Sequence, residues 1–238
     1  MPSPDVAGSG AGLAPVDRIT VAAVIPAYHE EKHIGDVVRR TLKQLANVVV
    51  IDDGSTDGTA EEARKAGADV IIHERNLGKG ESIKSGFRYW LDHGASYVIV
   101  LDADGQHLPE EIVHFLDAAA ATGAKLLVGT RMNNVRDMPV VRRAVNRYMS
   151  RKISRACRQE IPDTQCGFRM VHRDIIPQLL GGTERFDYET EMLIVASRAG
   201  CTIASVPIST VYSDEVSSIN PVRDTFRFFK LMRRYAKR

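Results

Sequence analysis

With 238 residues, 44% of them hydrophobic and 26% charged, the chain is long enough for one large core and has the ordinary composition of a globular protein. Its net charge of +2 is too small to mark a nucleic-acid binder. No stretch approaches the roughly 20 apolar residues of a membrane-spanning helix, no basic-then-apolar signal opens the chain, and Cys157, Cys166 and Cys201 lack CxxC spacing; the expectation is an intracellular protein with free thiols rather than a disulfide framework or zinc site.

The opening MPSPDVAGSGAGLAP is rich in Gly, Pro, Ser and Ala and offers little to pack, so residues 1–17 are expected to form a disordered leader. Order is expected from about Ile19, in one α/β domain over 18–220. Short apolar runs there alternate with helical patterns: ITVAAVIP, a helix over 31–45, NVVVIDD, a helix over 59–66, DVIIHE, a helix over 79–93 and SYVIVLDAD. This is the rhythm of a mostly parallel, Rossmann-like sheet flanked by crossover helices. A helix over 109–121, the strand AKLLVGTR, a basic helix over 140–157, FRMVHRD, a helix over 189–199 and CTIASVPI follow, and a basic amphipathic helix over 221–238 ends the chain.

In open α/β sheets ligands sit beyond the carboxyl ends of the strands, so the chemistry is sought after Ile25, Ile51 and Leu101. LDADGQH, residues 101–107, carries Asp102 and Asp104 two residues apart, a spacing that in a strand points both carboxylates the same way. Such oxygens suit Mg²⁺ or Mn²⁺ bridged to substrate phosphates, with Asp104 the direct ligand, Gln106 a further carbonyl donor and Asp102 a contact to sugar or ribose. A solvated Asp/Gly turn accounts for the same residues if they stand alone. VIPAYHEE, residues 24–31, places an aromatic and a carboxylate before a helix: Tyr28 suits stacking on a base, and Glu30 suits hydroxyl or base donors or simply the helix dipole. In VVVIDDGSTDGT, residues 48–59, Asp53 is placed to face a nucleotide, while Ser55 and Asp57 have a sufficient use as helix caps.

VIPAYHEE, VIDDGSTDGT, NLGKG and LDADGQH, in this order across residues 20–110, resemble the family-2 glycosyltransferases of the GT-A fold, and within them the dolichyl-phosphate mannose and glucose synthase branch. That resemblance implies an inverting, metal-dependent hexosyl transfer from a nucleotide-sugar such as GDP-mannose or UDP-glucose. It implies nucleotide contacts at Pro26, Ala27, Tyr28, Glu30, Ile51 and Asp53, and a sugar-diphosphate and metal site at Asp102, Ala103, Asp104 and Gln106. In the second half Arg131, Asp163, Gln165 and Arg169 match positions near the donor and acceptor, and Glu191, with Glu189 and Asp187, matches an acidic segment heading a helix. The chain departs from its relatives after Ile208: SDEVSSINPVRD offers Ser217 and Ser218 where a basic residue usually closes over the diphosphate, leaving that charge to the metal and Arg131 or Arg223.

The acceptor follows from charge distribution. Arg131, Arg136, Arg142, Arg143, Arg147, Arg151, Lys152, Arg155 and Arg158 face only Asp137, and the tail repeats the bias beside Phe226, Phe229 and Met232. This suits an anionic polyprenyl or dolichyl phosphate at the cytoplasmic face of a membrane, with the C-terminal helix in the headgroup plane or packed on the domain. A lipid phosphate arrives ionised, whereas a sugar hydroxyl would need a base such as Glu191 or Glu189. A soluble saccharide acceptor, or a non-catalytic nucleotide-sugar-binding protein, are the competing expectations; a nucleotidyltransferase lacks its Gly-rich basic loop here. Oligomeric state is not legible.

Overall fold

The computed structural model describes residues 20–132, 140–181 and 187–209, with Arg233 and Tyr235. The expected leader and all but two positions of the expected C-terminal helix, together with Ser217, Ser218 and Arg223, lie outside the described residues. Seven strands form one sheet: β1 (Val21–Ala27), β2 (Asn47–Asp52), β3 (Asp69–Ile72), β4 (Tyr97–Val100), β5 (Leu126–Thr130), β6 (Arg169–His172) and β7 (Ile203–Pro207). The helices are α1 (Ile34–Leu42), α2 (Thr59–Lys65), α3 (Lys79–Asp92), α4 (Ile112–Thr122), α5 (Val140–Cys157), α6 (Ile176–Leu179) and α7 (Asp187–Arg198).

The strand order is β3-β2-β1-β4-β6-β5-β7, and β6 alone runs antiparallel to its neighbours β4 and β5. The architecture is a single α/β domain with a mostly parallel sheet, as the alternation of apolar runs and helical periods implies. Every residue of β1 is buried, and β2 is buried after its first residue, which is why both read as continuous apolar runs without alternation. Helix α3 lies so close to β1 that a Cβ at Gly86 would stand 2.4 Å from Val24 Cγ1, so only glycine lets the two layers meet. Trp90 at the end of α3 donates its indole N–H to the Ala23 carbonyl at 3.0 Å, satisfying the one polar atom of a buried ring.

Chain direction places the site. From β1 the chain builds outward through β2 and β3, then α3 carries it back to β4 on the other side of β1. The order reverses there, so the crevice between the carboxyl ends of β1 and β4 is the topological switch point.

Some local expectations are corrected. Strand β4 stops at Val100, so Asp102 and Asp104 sit in a turn and not in a strand, and side-chain alternation does not set their direction. The turn is built by Gly105 at φ 74°, by Asp104 Oδ1 accepting from the Gln106 amide at 3.0 Å and by His107 Nδ1 accepting from the Asp102 amide at 3.2 Å. The helix expected from residue 31 begins at Ile34, because Glu30 to His33 form a turn whose amides fold back on the Glu30 carbonyl. A 3₁₀ turn over Pro109–Glu111 precedes α4, and the short α6 follows β6.

Candidate active site

The carboxyl end of β1 delivers Tyr28, which is 46% exposed and stacks on His29 with ring centroids 4.1 Å apart. His29 has φ 58°, and its amide donates to Ser55 Oγ at 3.0 Å, which joins the β1 turn to the turn after β2. The Glu30 amide donates to Thr59 Oγ1 at 2.9 Å, tying the same two loops again. Pro26 pairs with Ile51 and Ala27 with Asp52 across the parallel ladder. Ala27, Ile51 and Ala103 are buried, so what they present to a ligand is backbone or a small flat surface.

Asp53 is more occupied than its place in the sequence suggests. Its Oδ1 accepts from His73 Nδ1 at 2.7 Å and from the Leu77 amide at 2.9 Å, and its Oδ2 from the Gly78 amide at 2.8 Å. About three of the four lone-pair positions of the carboxylate are thus filled. Asp53 thereby caps, from a distance, the amides at the head of α3 and holds the NLGKG segment against β2. His73 Nε2 in turn lies 3.0 Å from Ser85 Oγ, which fixes the ring.

That segment carries Lys79, the first residue of α3. Lys79 Nζ lies 2.6 Å from Asp102 Oδ1 and 2.9 Å from Glu189 Oε1, so one ammonium joins the turn after β4 to the head of α7. A lysine in the first turn of a helix opposes the helix dipole, and this was the available signal that an acidic partner waits elsewhere. Gly167 closes the group from behind: a Cβ there would stand 2.8 Å from Asp102 Oδ2 and 3.1 Å from both Glu189 Oε1 and Lys79 Nζ.

The electrostatics divide the two aspartates. Burial opposes ionisation of Asp102, but Lys79, with help from His107 and Arg131, pulls its carboxyl down to about 2. Asp104 goes the other way: burial, then the negative charge of Asp102, holds its carboxyl above the ordinary range. Burial keeps the His107 imidazole below its usual value despite both aspartates, and its ring stacks on Phe168 at 5.2 Å.

Asp104 Oδ1 takes the Gln106 amide, and among the described residues no donor reaches Oδ2. The Lys79 ammonium pairs with Asp102 and Glu189 and acts on Asp104 only through space. Among the described residues no three His, Cys, Asp or Glu side chains converge as a ready-made metal cage. The oxygen chemistry of Asp104 and the neighbouring Asp102 fits a hard divalent cation, whose shell ligand oxygens would complete. An arriving cation would favour the ionised form of Asp104, against the burial and the Asp102 charge that oppose it.

Arg131, just past β5, is gripped by Asp163: Nε to Oδ2 is 2.7 Å and Nη2 to Oδ1 3.0 Å, and its amide donates to Oδ2 at 3.2 Å. Asn146 of α5 donates to the same Oδ1 at 3.0 Å, and Ser150 of α5 holds the Thr164 amide at 3.1 Å. Arg169 is wholly buried and spends its guanidinium on the carbonyls of Thr164, Cys166 and Glu189, binding the 163–167 loop to α7. Glu191 is buried and accepts from Tyr235 Oη at 2.6 Å, away from the Lys79 group, so Glu189 and not Glu191 joins the two aspartates. The side chain of Asp187 lies outside the described residues. The three cysteines are free thiols, and burial pushes Cys166 up to about 12 and Cys157 up to about 11, so neither is a ready nucleophile.

A doubly wound sheet with acidic turns at its switch point places polar side chains where ligands of such sheets bind. More particularly, the glycosyl transferase family 2 profile matches residues 22–180, and the chain belongs to that family of glycosyltransferases. It is 29% identical over 214 residues to a UDP-N-acetylglucosamine–dolichyl-phosphate N-acetylglucosaminyltransferase of Methanococcus voltae, covering 80% of this chain and 85% of that one. It is 29% identical over 213 residues to the polyprenol monophosphomannose synthase of Mycolicibacterium smegmatis, covering 84% and 79%. In structure it resembles glucosyl-3-phosphoglycerate synthase from Mycobacterium tuberculosis, solved with Mn²⁺, UDP and phosphoglyceric acid: TM-score 0.68 and 20% identity over 92% of this chain and 77% of that one, a likeness of fold.

Proposed function

We propose that this glycosyltransferase moves a hexose of the mannose or glucose type from a GDP- or UDP-linked donor to a polyprenyl or dolichyl phosphate, with inversion and with Mg²⁺ or Mn²⁺ as cofactor. The observation that supports this reading is the Asp102–Lys79–Glu189 group beside Asp104, which gathers three carboxyl groups at the switch point, where ligands of such sheets bind. The printed names of the two relatives, both acting with polyprenyl-type lipids, support the acceptor class.

In this reading Tyr28 supports the base, and Glu30 and Asp53 order the ribose end together with the backbone of Pro26, Ala27, Ile51 and Ala103. Asp102 and Glu189, aligned by Lys79, accept hydrogen bonds from sugar hydroxyls, and Asp104 with Gln106 holds the metal. A bound divalent ion neutralises charge on the departing diphosphate. Arg131, kept straight by Asp163, meets the phosphate of the donor or acceptor. An acceptor phosphate oxygen attacks the anomeric carbon as its bond to the diphosphate oxygen breaks, and the nucleoside diphosphate leaves. The phosphate is already ionised, so the step needs no general base, and Glu191, engaged by Tyr235, is left a structural part.

The test is incubation of the protein with Mn²⁺, GDP-mannose, UDP-glucose or UDP-GlcNAc, and a short-chain polyprenyl phosphate. One donor is expected to give a glycolipid. Turnover on a soluble sugar alone would establish the competing acceptor, and nucleotide-sugar binding without any turnover a non-catalytic role.

A further inference from the structure

Helix α5 has two faces of different chemistry. Asn146, Ser150, Ile153 and Cys157 recur at three- and four-residue steps and are buried. Through Asn146 and Ser150 this face holds Asp163 and the loop that carries it. Opposite them Arg147, Tyr148, Arg151 and Arg155 are exposed, and Lys152 Nζ lies 5.6 Å over the Tyr148 ring. Val145 and Tyr148 are each 49% exposed, two of only four large hydrophobic residues so exposed among the described residues. No acidic residue occurs in the sequence between Asp137 and Glu160, and among the described residues no carboxylate pairs with Arg147, Arg151, Lys152 or Arg155.

We propose that the outer face of α5 is a docking surface for an anionic phospholipid bilayer. The helix lies in the headgroup plane, its guanidinium groups meet lipid phosphates, and Tyr148 and Val145 enter the acyl boundary. The apolar pair set among the cations favours a lipid surface over a purely polyanionic partner. This inference rests on the polyprenyl-phosphate reading for its purpose: the helix that would touch the membrane is the one whose inner face fixes Asp163 and so Arg131, which brings the acceptor end of the cleft to where a lipid phosphate resides.

Each basic residue near an anionic surface strengthens partitioning about five-fold. Co-sedimentation of the full chain with vesicles of phosphatidylcholine, alone or mixed with phosphatidylglycerol, tests the proposal. Binding is expected only with phosphatidylglycerol and to fall with added salt. Arg147→Glu/Arg151→Glu/Arg155→Glu is expected to weaken it at least about 100-fold, and Tyr148→Ser, a milder change, several-fold. A matched reversal elsewhere, Lys43→Glu/Arg64→Glu/Arg173→Glu, is expected to leave it within a few-fold. Equal loss in the matched variant, undiminished binding in both α5 variants, or binding to RNA in place of vesicles would overturn the proposal. Turnover of a short polyprenyl phosphate in detergent is read in parallel: vesicle binding that depends on α5 without such turnover would sink the acceptor reading and leave the docking surface standing.

Discussion

Lys79 and Asp102 form a 2.6 Å ion pair that spans from the head of α3 to the turn after β4, and the same ammonium continues to Glu189 on α7. Three elements far apart in sequence are therefore locked by one nitrogen. Burial opposes its charge, yet Asp102 and Glu189 hold Lys79 well above the ordinary lysine range. Lys79→Met leaves two largely buried carboxylates facing each other, and breaking such a pair by removing one partner costs about 3 kcal/mol or more. Denaturant unfolding is expected to show that loss, and Lys79→Met/Glu189→Gln to recover part of it. Because the variant site is more negative, the stabilisation by Mn²⁺ is expected to exceed that of the native protein. An unchanged response to Mn²⁺ would mean that Lys79 does not share the cation's field.

Gly167 is expected to be intolerant of any side chain. Alanine puts a carbon 2.8 Å from Asp102 Oδ2, and the carboxylate has to move. Turnover by Gly167→Ala is expected to fall at least about ten-fold, since sub-ångström misplacement of positioning groups is costly, with the circular dichroism spectrum preserved. Normal kinetics would show that Asp102 does not need this place.

Asp104→Asn separates the metal-binding role proposed for this side chain from its role in the turn. Asparagine keeps the side-chain oxygen that accepts from the Gln106 amide, so the fold is expected to survive. Turnover is expected to drop about a thousand-fold, in keeping with several kcal/mol of leaving-group stabilisation. Thermal shift with UDP and Mn²⁺ at 100 times Kd would give the native protein about 2.7 kcal/mol, and the variant much less.

The Arg131–Asp163 pair predicts an acid-labile contribution to stability. Burial opposes ionisation of Asp163, but Arg131, seconded by Asn146, holds its carboxyl below the usual range. A depressed folded pKa adds stability that is complete above the unfolded value near 3.9 and is lost as pH falls through the folded one. Asp163→Asn is expected to cost about 3 kcal/mol at neutral pH, because it removes the buried carboxylate that grips the Arg131 guanidinium at two points. That difference should shrink steadily below about pH 4. A pH-independent difference would place the effect in packing.

What could be read from the chain, and what could not, divides along sequence separation. Helix α5 runs over Val140–Cys157 as its pattern implies, and β1, β2 and β5 announce themselves by continuous apolar runs. Periodicity is a local signal and reports local structure well. The reversal of β6 is decided by partners some 70 and 40 residues earlier, Val100 and Val128 both opposite Arg169, and no local pattern records it. The LDADGQH turn reads as a strand because apolar content continues to Leu101, while Gly105, the Asx-type bond of Asp104 and the bond to His107 end the strand sooner. The motif residues Asp102 and Asp104 were visible from their spacing; Lys79, Glu189 and Gly167 converge on them only through the fold.

The single reversed strand has a consequence for how such an enzyme diversifies. Since β6 enters the sheet from the catalytic edge, everything between Arg131 and Arg169 leaves that edge and returns to it. The stretch is anchored at both ends by arginine hydrogen bonds and in its middle by the buried face of α5, which holds Asp163 and Thr164. Its end packs through Gly167 on Asp102, Lys79 and Glu189, so a change within the stretch is transmitted to the turn after β4, and this half of the chain varies under the constraint of the other.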